Sequence, residues 1–278
     1  MTRWRFSTVE FTALWRRMEL GDKPLLLDVP DHGATLDERN RLDTQAWEQL
    51  RTWRLVEAHR LRPELADTLG ALAHPTVEAD LRMITGPGQE VRVLACASNL
   101  VGVVAVRGAD TVELLLARPT ELAEALLAHV PEHQQAVGNA VSIPLELIQS
   151  DGLRADAELA RLQRAGLRAD EARQVRRLIA GSVVRRFKIG AAARDRLGRR
   201  HRARDVVSVL DTVHGRIQIR HQRDHGSDRL LFAPTDKQRL TGEVAGLIRA
   251  AVDAAGAGRR GAGPGGGHTR HQGRTHRA

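Results

Sequence analysis

Histidines, carboxylates and thiols at suitable spacings are the groups that could carry catalysis or hold a metal, and this chain offers few such groupings. His221 and His225 stand four residues apart. On a helix that spacing would aim both imidazoles at one metal ion, with a glutamate between them as general base. The intervening residues are Gln222, Arg223 and Asp224, and the segment reads as a strand end and turn, so these are read as solvated turn histidines. His268, His271 and His276 lie in a terminal tail where only adventitious metal binding is expected. Gly261 to Gly267 has neither the Lys-Ser/Thr of a phosphate loop nor a preceding strand. There is no Gly-x-Ser-x-Gly elbow, and Asp37 and Glu38 suit helix starts better than acid–base work. The single cysteine, Cys96, sits inside an apolar strand, where a small buried side chain is the expected role. No catalytic constellation, metal site or cofactor site is therefore assigned, and no small-molecule substrate.

The charge is the remaining chemical feature. The chain of 278 residues carries a net charge of +9. Residues 254–278 hold five arginines and no acid, which leaves +4 for residues 1–253. Arg185 to Arg204 holds nine basic residues against Asp195, so the rest of the body is slightly acidic. Three lysines (Lys23, Lys188, Lys237) stand beside forty arginines, a ratio that fits a GC-rich coding bias. The basic segment suits either an acidic protein partner or nucleic-acid phosphates, and equally a solvated hairpin loop. Aromatic platforms for bases are missing around it.

The elements that would position these residues are most legible from Asp205 to Val252. Val206 to Leu210 is a β-branched run, Arg216 to Arg220 alternates charged and apolar residues, and Leu230-Leu231-Phe232 follows. Pro234-Thr235-Asp236 ends the strands, and Thr235 with Gln238 reads as a capping box for a helix carrying Leu240, Val244, Leu247, Ile248 and Ala251. An equivalent order occurs earlier: strands at 91–94, 101–106 and 112–117, then Pro119-Thr120-Glu121 and a helix with Leu122, Leu126 and Val130. The prediction is that residues 75–130 and 169–252 are two copies of one unit.

Before that unit, Trp4-Arg5-Phe6 is a short strand and Ser7 with Glu10 a capping box. Phe11, Leu14, Trp15 and Met18 form a helical stripe. A second capping box, Thr35 with Glu38, opens a helix with Leu42, Ala46, Leu50 and Trp53, and Leu65, Leu69 and Leu72 mark a third. Val77, Leu81 and Ile84 predict a fourth helix, closed by Gly86-Pro87-Gly88. Trp15, Trp47 and Trp53 are assigned to the core. Val141 to Pro144 is extended, a short helix is expected around Leu159 and Leu162, and Asp170 is expected to cap a helix with Val175, Leu178 and Ile179. Ser182 to Ile189 reads as the next strand, and Arg194 to Arg204 as a basic loop. Hairpin-length turns at Ser98-Asn99, Gly108-Ala109 and His214-Gly215 imply an antiparallel sheet. The fold class is α+β, an antiparallel sheet with helices and an internal repeat of one strands-then-helix unit. One domain is expected over 1–253, with halves of about 1–135 and 136–253. From residue 254 the Gly/Arg/His composition lacks apolar periodicity, and a disordered tail is expected. No signal peptide or bilayer-length apolar run is seen, so a cytoplasmic protein is expected.

The order of these pieces resembles the EspG family, the cytosolic chaperones of type VII (ESX) secretion in actinobacteria. The likeness is densest in Phe6-Ser7-Thr8-Val9-Glu10-Phe11 with Leu14-Trp15. It continues through Pro24-Leu25, Asp28-Val29-Pro30, Gly33-x-Thr35-x-x-Glu38-Arg39, Ala46-Trp47-x-x-Leu50 and Pro63-Glu64-Leu65-Ala66, and extends over about residues 4–252. Two departures are the Leu50-Arg51-Thr52-Trp53-Arg54-Leu55 run, where members often place a glycine, and the tight Ser98-Asn99 turn, where some carry a long loop used in partner contact. The resemblance implies a pseudo-two-fold protein, a central antiparallel sheet with flanking helical bundles, and a partner of the PE–PPE type, a secreted helical heterodimer held by its PPE tip and kept soluble for export. It implies neither catalysis nor a cofactor. Arg185, Arg186, Lys188, Arg216, Arg220 and the helix from Thr235 are the expected partner-binding residues, because the positive charge is confined to that hairpin. The competing reading is an Arg-rich, nucleic-acid-associated regulator, and a third is an enzyme with an unrecognised site.

Overall fold

Trp4 and Phe6 turn inward and Arg3 and Arg5 outward along the first strand, β1 (Arg3–Ser7), the alternation that a half-buried strand requires. The computed structural model describes residues 2–57, 60–146, 163, 166–179, 182–224 and 227–257. Helix α1 (Thr8–Arg17) follows with its capping box complete: the Glu10 N–H donates to Ser7 Oγ at 3.2 Å, and the Ser7 N–H donates to Glu10 Oε2 at 2.6 Å. At α2 (Leu36–Thr52), Thr35 accepts from the Glu38 N–H, while the Glu38 carboxylate reaches the Ala34 N–H instead of closing the box on Thr35. A small hairpin, β2 (Val56–Glu57) with β3 (Arg60–Leu61), leads into α3 (Pro63–Ala73), which begins with proline at its first turn.

The expected fourth helix is a strand, β4 (Val77–Gly86). Ala79, Leu81 and Met83 are buried, while Glu78, Asp80 and Arg82 lie on the opposite face. Val77 and Leu81, four apart, fit both the helical and the strand period, so they could not discriminate. Pro87-Gly88 is then a hairpin turn, with Gly88 at φ 68°, and not a helix stop. Next come β5 (Gln89–Ser98), β6 (Val101–Arg107), β7 (Thr111–Ala117), a 3-10 turn at Pro119–Glu121 and α4 (Leu122–Leu127). After β8 (Val141–Pro144) comes α5 (Ala169–Ile179), where Glu171 accepts from the Arg168 N–H and Asp170 lies within the first turn instead of capping it. The second set is β9 (Val183–Arg194), β10 (Arg200–Arg202), β11 (Val207–Thr212), β12 (Gly215–Asp224), β13 (Ser227–Pro234) and α6 (Lys237–Ala257). The expected loop at 194–204 is thus mostly a β9–β10 hairpin.

Eleven strands make one antiparallel sheet in the order β1-β7-β6-β5-β4-β9-β11-β12-β13-β8, with β10 added to β9. One face carries Leu81, Met83, Val93, Phe187, Ile189 and Val209, covered by α4 and α6. The other face is covered in two separate places. Helices α1 to α3 lie over Leu94, Cys96, Val103 and Leu114, and α5 lies over Ile217, Phe232, Val141 and Ile143. Burial pushes the Cys96 thiol pKa far up, in keeping with a core role. Trp53 departs from the expectation of a core residue: it is 43% exposed at the end of α2, its ring 6.5 Å from Phe6. Helix α6 runs to Ala257 and buries Ala255, so the boundary expected at 254 falls inside the helix. Residues 258–278, with the rest of the expected tail, and the expected helix around Leu159 and Leu162 lie outside the described residues, as does His225.

Candidate functional site

Strand alternation decides which of the expected partner-binding residues share a surface. The register places Arg185 of β9, Asp211 of β11 and Arg216 of β12 in one cross-strand row, on the face beneath α6. Asp211 is fully buried and Arg216 is 1% exposed. Arg216 Nε donates to Asp211 Oδ1 at 2.6 Å and its Nη2 to Oδ2 at 2.9 Å, a two-pronged pair; Arg185 Nε donates to the same Oδ2 at 2.9 Å. Burial pushes the Asp211 carboxyl up, and the Arg216 and Arg185 guanidiniums more than offset this, holding it below the usual carboxylate value. Arg216 also donates to the Pro131 carbonyl at 2.8 Å, and its backbone bonds both Gln134 O and Ala136 N. His133 Nε2 donates to Thr212 O at 2.8 Å. Arg216 therefore staples the 131–136 connector onto the β11–β12 hairpin.

Thr235 is buried as well, 1% exposed, and its hydroxyl has no hydrogen-bond partner among the described residues. The cap of α6 is Asp236, whose Oδ1 accepts from the Arg239 N–H at 2.8 Å. Arg220 lies on the same face as Arg216, half-exposed and paired with Glu243 of α6. Arg186 and Lys188 point to the opposite face. Of the six residues, then, Arg185 and Arg216 meet around Asp211, Thr235 is enclosed, and Arg220 is separated from Arg186 and Lys188 by the sheet.

That opposite face is where the sheet is open. Between the layer of α1 to α3 and that of α5, the middle strands present Arg82, Ile84, Val184, Arg186, Lys188, Ser208 and Leu210. Arg186 is flanked by Ile84 and Leu210, and Lys188 by Arg82 and Ser208. Neither Arg186 nor Lys188 has an acidic partner among the described residues, whereas Arg82 donates to Glu90 at 2.8 Å. Hydrogen bonds from Arg82 and Arg92 hold the Glu90 carboxyl below its usual value.

Much of the remaining basic segment is neutralised within the fold. Arg200 pairs with Glu78, Arg202 with Asp80 at 3.0 Å, and His201 with Asp195 at 3.0 Å. The Arg202 guanidinium crosses above Gly190, and a Cβ there would also meet Asp80 Oδ1 at 2.6 Å. His221 faces Asp228 across β12 and β13 at 3.4 Å. Among the described residues no group of three or more His, Cys, Asp or Glu side chains could hold a metal ion, and no helix is long and apolar enough to cross a membrane.

The family model of the EspG family matches residues 7–246, most of the chain. The chain belongs to the EspG family. Among solved structures, this EspG-family chain is similar to the Mycobacterium tuberculosis type VII secretion system chaperone EspG5, solved in complex with a PE25–PPE41 dimer. The identity is 17% and the TM-score 0.67, over 91% of this chain and 96% of that one. That likeness is one of fold. Comparison with curated protein sequences gives no match.

The centre of the buried network, Asp211, was absent from the expected set. The β11–β12 loop is Val213-His214, with Thr212 opposite Gly215; a two-residue loop at the expected His214-Gly215 would have set Asp211 opposite Gln218, so the one-residue difference hid the pair. Glu78 and Asp80 carried no signal either, because their partners are more than a hundred residues away.

Proposed function

We propose that this EspG-family protein is a cytoplasmic type VII secretion chaperone that binds a PE–PPE-type heterodimer, keeps it soluble and presents it for export, without catalysis or cofactor. The observation carrying this reading is the fold shared with EspG5, a chaperone solved holding such a dimer. The open strip of the sheet is the surface that suits the role. Ile84, Val184 and Leu210 offer apolar anchors, and Arg186 and Lys188 offer free charge at the rim, the composition expected of a preformed protein-binding surface. Arg185, Arg216 and Thr235 support that surface from behind, and Arg220 steadies α6.

We also read the protein as two copies of one unit, 75–130 and 169–252, related by a pseudo-two-fold axis between β4 and β9. The strand order supports this: each side runs outward from the centre through four strands, and a helix follows the outermost of them.

Pull-down from the native cytoplasm with mass spectrometry tests the function, a co-purifying helical secreted pair being the expected result. Arg186→Glu with Lys188→Glu should weaken capture of that pair about ten-fold, more at low salt than at high, with folding intact. Random DNA and RNA should bind the chain without residues 258–278 only weakly at physiological salt, since so local a patch neutralises few phosphates. Sub-micromolar nucleic-acid binding by that shortened chain with a steep salt slope, and no co-purifying pair, would replace this reading with the regulator.

A further inference from the structure

The two ends of the sheet differ. One is β8, four residues long and finished by Pro144, a blunted edge. The other is β1, and among the described residues nothing pairs with its outer side. The Thr8 N–H donates to Asp110 O and the Leu116 N–H to Thr2 O. With the register Trp4↔Leu114 and Phe6↔Val112, the even-numbered residues therefore bond inward to β7. Arg3, Arg5 and Ser7 direct their N–H groups outward. The Ser7 N–H is taken by Glu10. The N–H and C=O groups of Arg3 and Arg5 remain, four backbone groups in line that are unpaired among the described residues.

Beside this edge is a cavity of about 260 Å³ lined by Arg3, Trp4, Arg5, Phe6, Trp53 and Leu55. The exposed Trp53 ring and Leu55 give it an apolar wall on the face of Trp4 and Phe6. The Arg3 and Arg5 side chains stand on the other face, more than half exposed; both pair with Glu113 of β7, at 2.6 and 3.6 Å, so two positive charges there meet one negative. A strand laid along β1 would alternate between these two environments, apolar residues into the cavity and acidic residues beside the arginines.

We propose that the β1 edge is a second interaction surface that takes an extended partner segment alternating acidic and apolar residues, added as a twelfth strand. A second copy of this chain is disfavoured as the occupant, because edge-to-edge pairing would set Arg3 and Arg5 against the same arginines. The edge is five strand steps from β9, about 24 Å at the usual spacing of roughly 4.8 Å. It can therefore be filled while the central strip is occupied.

The probe is a fluorescein-labelled octapeptide alternating glutamate with valine, titrated against the full chain by anisotropy. Saturable binding is expected, with slowed amide exchange at Arg3 and Arg5. Methylating alternate backbone nitrogens of the peptide on its bonding edge should abolish binding. Trp53→Ala should weaken it about ten-fold, and Arg3→Glu with Arg5→Glu should shift the preference to a lysine–valine peptide. The proposal is overturned by no binding up to about 1 mM peptide, by equal binding of the N-methylated peptide, or by equal binding of the lysine peptide to the unaltered chain. Sedimentation revealing a dimer that Arg5→Pro dissolves would make a second copy the occupant and overturn it equally.

Discussion

Asp211 accepts from two arginines in a place that water does not reach, and its surroundings decide whether that charge is tolerable. A buried carboxylate loses its hydration, and only the Arg216 and Arg185 donors make its ionised form the stable one. Arg216→Met should therefore destabilise by about 3 kcal/mol or more, because the charge left behind keeps one guanidinium instead of two. Urea unfolding at pH 7 measures this. The dependence on pH follows from the direction of the shift. A carboxyl held below its ordinary pKa of 3.8 adds stability that is full above that value and is lost as the pH falls through the lower folded-state value. The stability gap between the native chain and Arg216→Met should accordingly narrow below about pH 4; a gap unchanged down to pH 2 would refute the coupling.

At the level of elements, the start of α6 separates two residues that the sequence makes look equivalent. Thr235 with Gln238 has the pattern of a capping box, and Asp236 stands next to it. In the fold Asp236 accepts the Arg239 N–H and Thr235 is shut in with an unpaired hydroxyl. Thr235→Val, nearly the same in shape, should be neutral or stabilising by up to about 1 kcal/mol, since an unpaired buried hydroxyl is unfavourable. Asp236→Ala should cost about 1 kcal/mol of helix capping. Melting temperatures that move in the reverse order would return the cap to Thr235. At β4 the ambiguity is of period: Val77 and Leu81 suit either element, and the neighbour β9, with eight registered residue pairs, makes the strand.

For the whole molecule, those same pairs between Val77–Ile84 and Arg186–Ala193 join the two sets of strands through the centre of one sheet. Leu81, Met83, Phe187 and Ile189 then pack into one cluster with α4 and α6, so neither set has a core of its own on that face. A single unfolding transition is expected, with calorimetric and van't Hoff enthalpies equal. Two resolved transitions would mean that the halves unfold separately.

What the sequence determined by itself was local. Apolar and alternating runs placed β11 to β13, the Ser7–Glu10 box placed α1, and turn residues near Ser98-Asn99 and His214-Gly215 made the sheet antiparallel, because these depend on a few adjacent residues. The ordered pieces carried the EspG likeness for the same reason. Only the tertiary structure decided which strand lies beside which. That pairing turned β4 from helix to strand, set Arg200 and Arg202 on Glu78 and Asp80, and buried Arg216 behind the surface on which Arg186 and Lys188 are exposed. Those partners lie far apart in the chain, and a basic residue reads the same in sequence whether its acid is across a strand or absent.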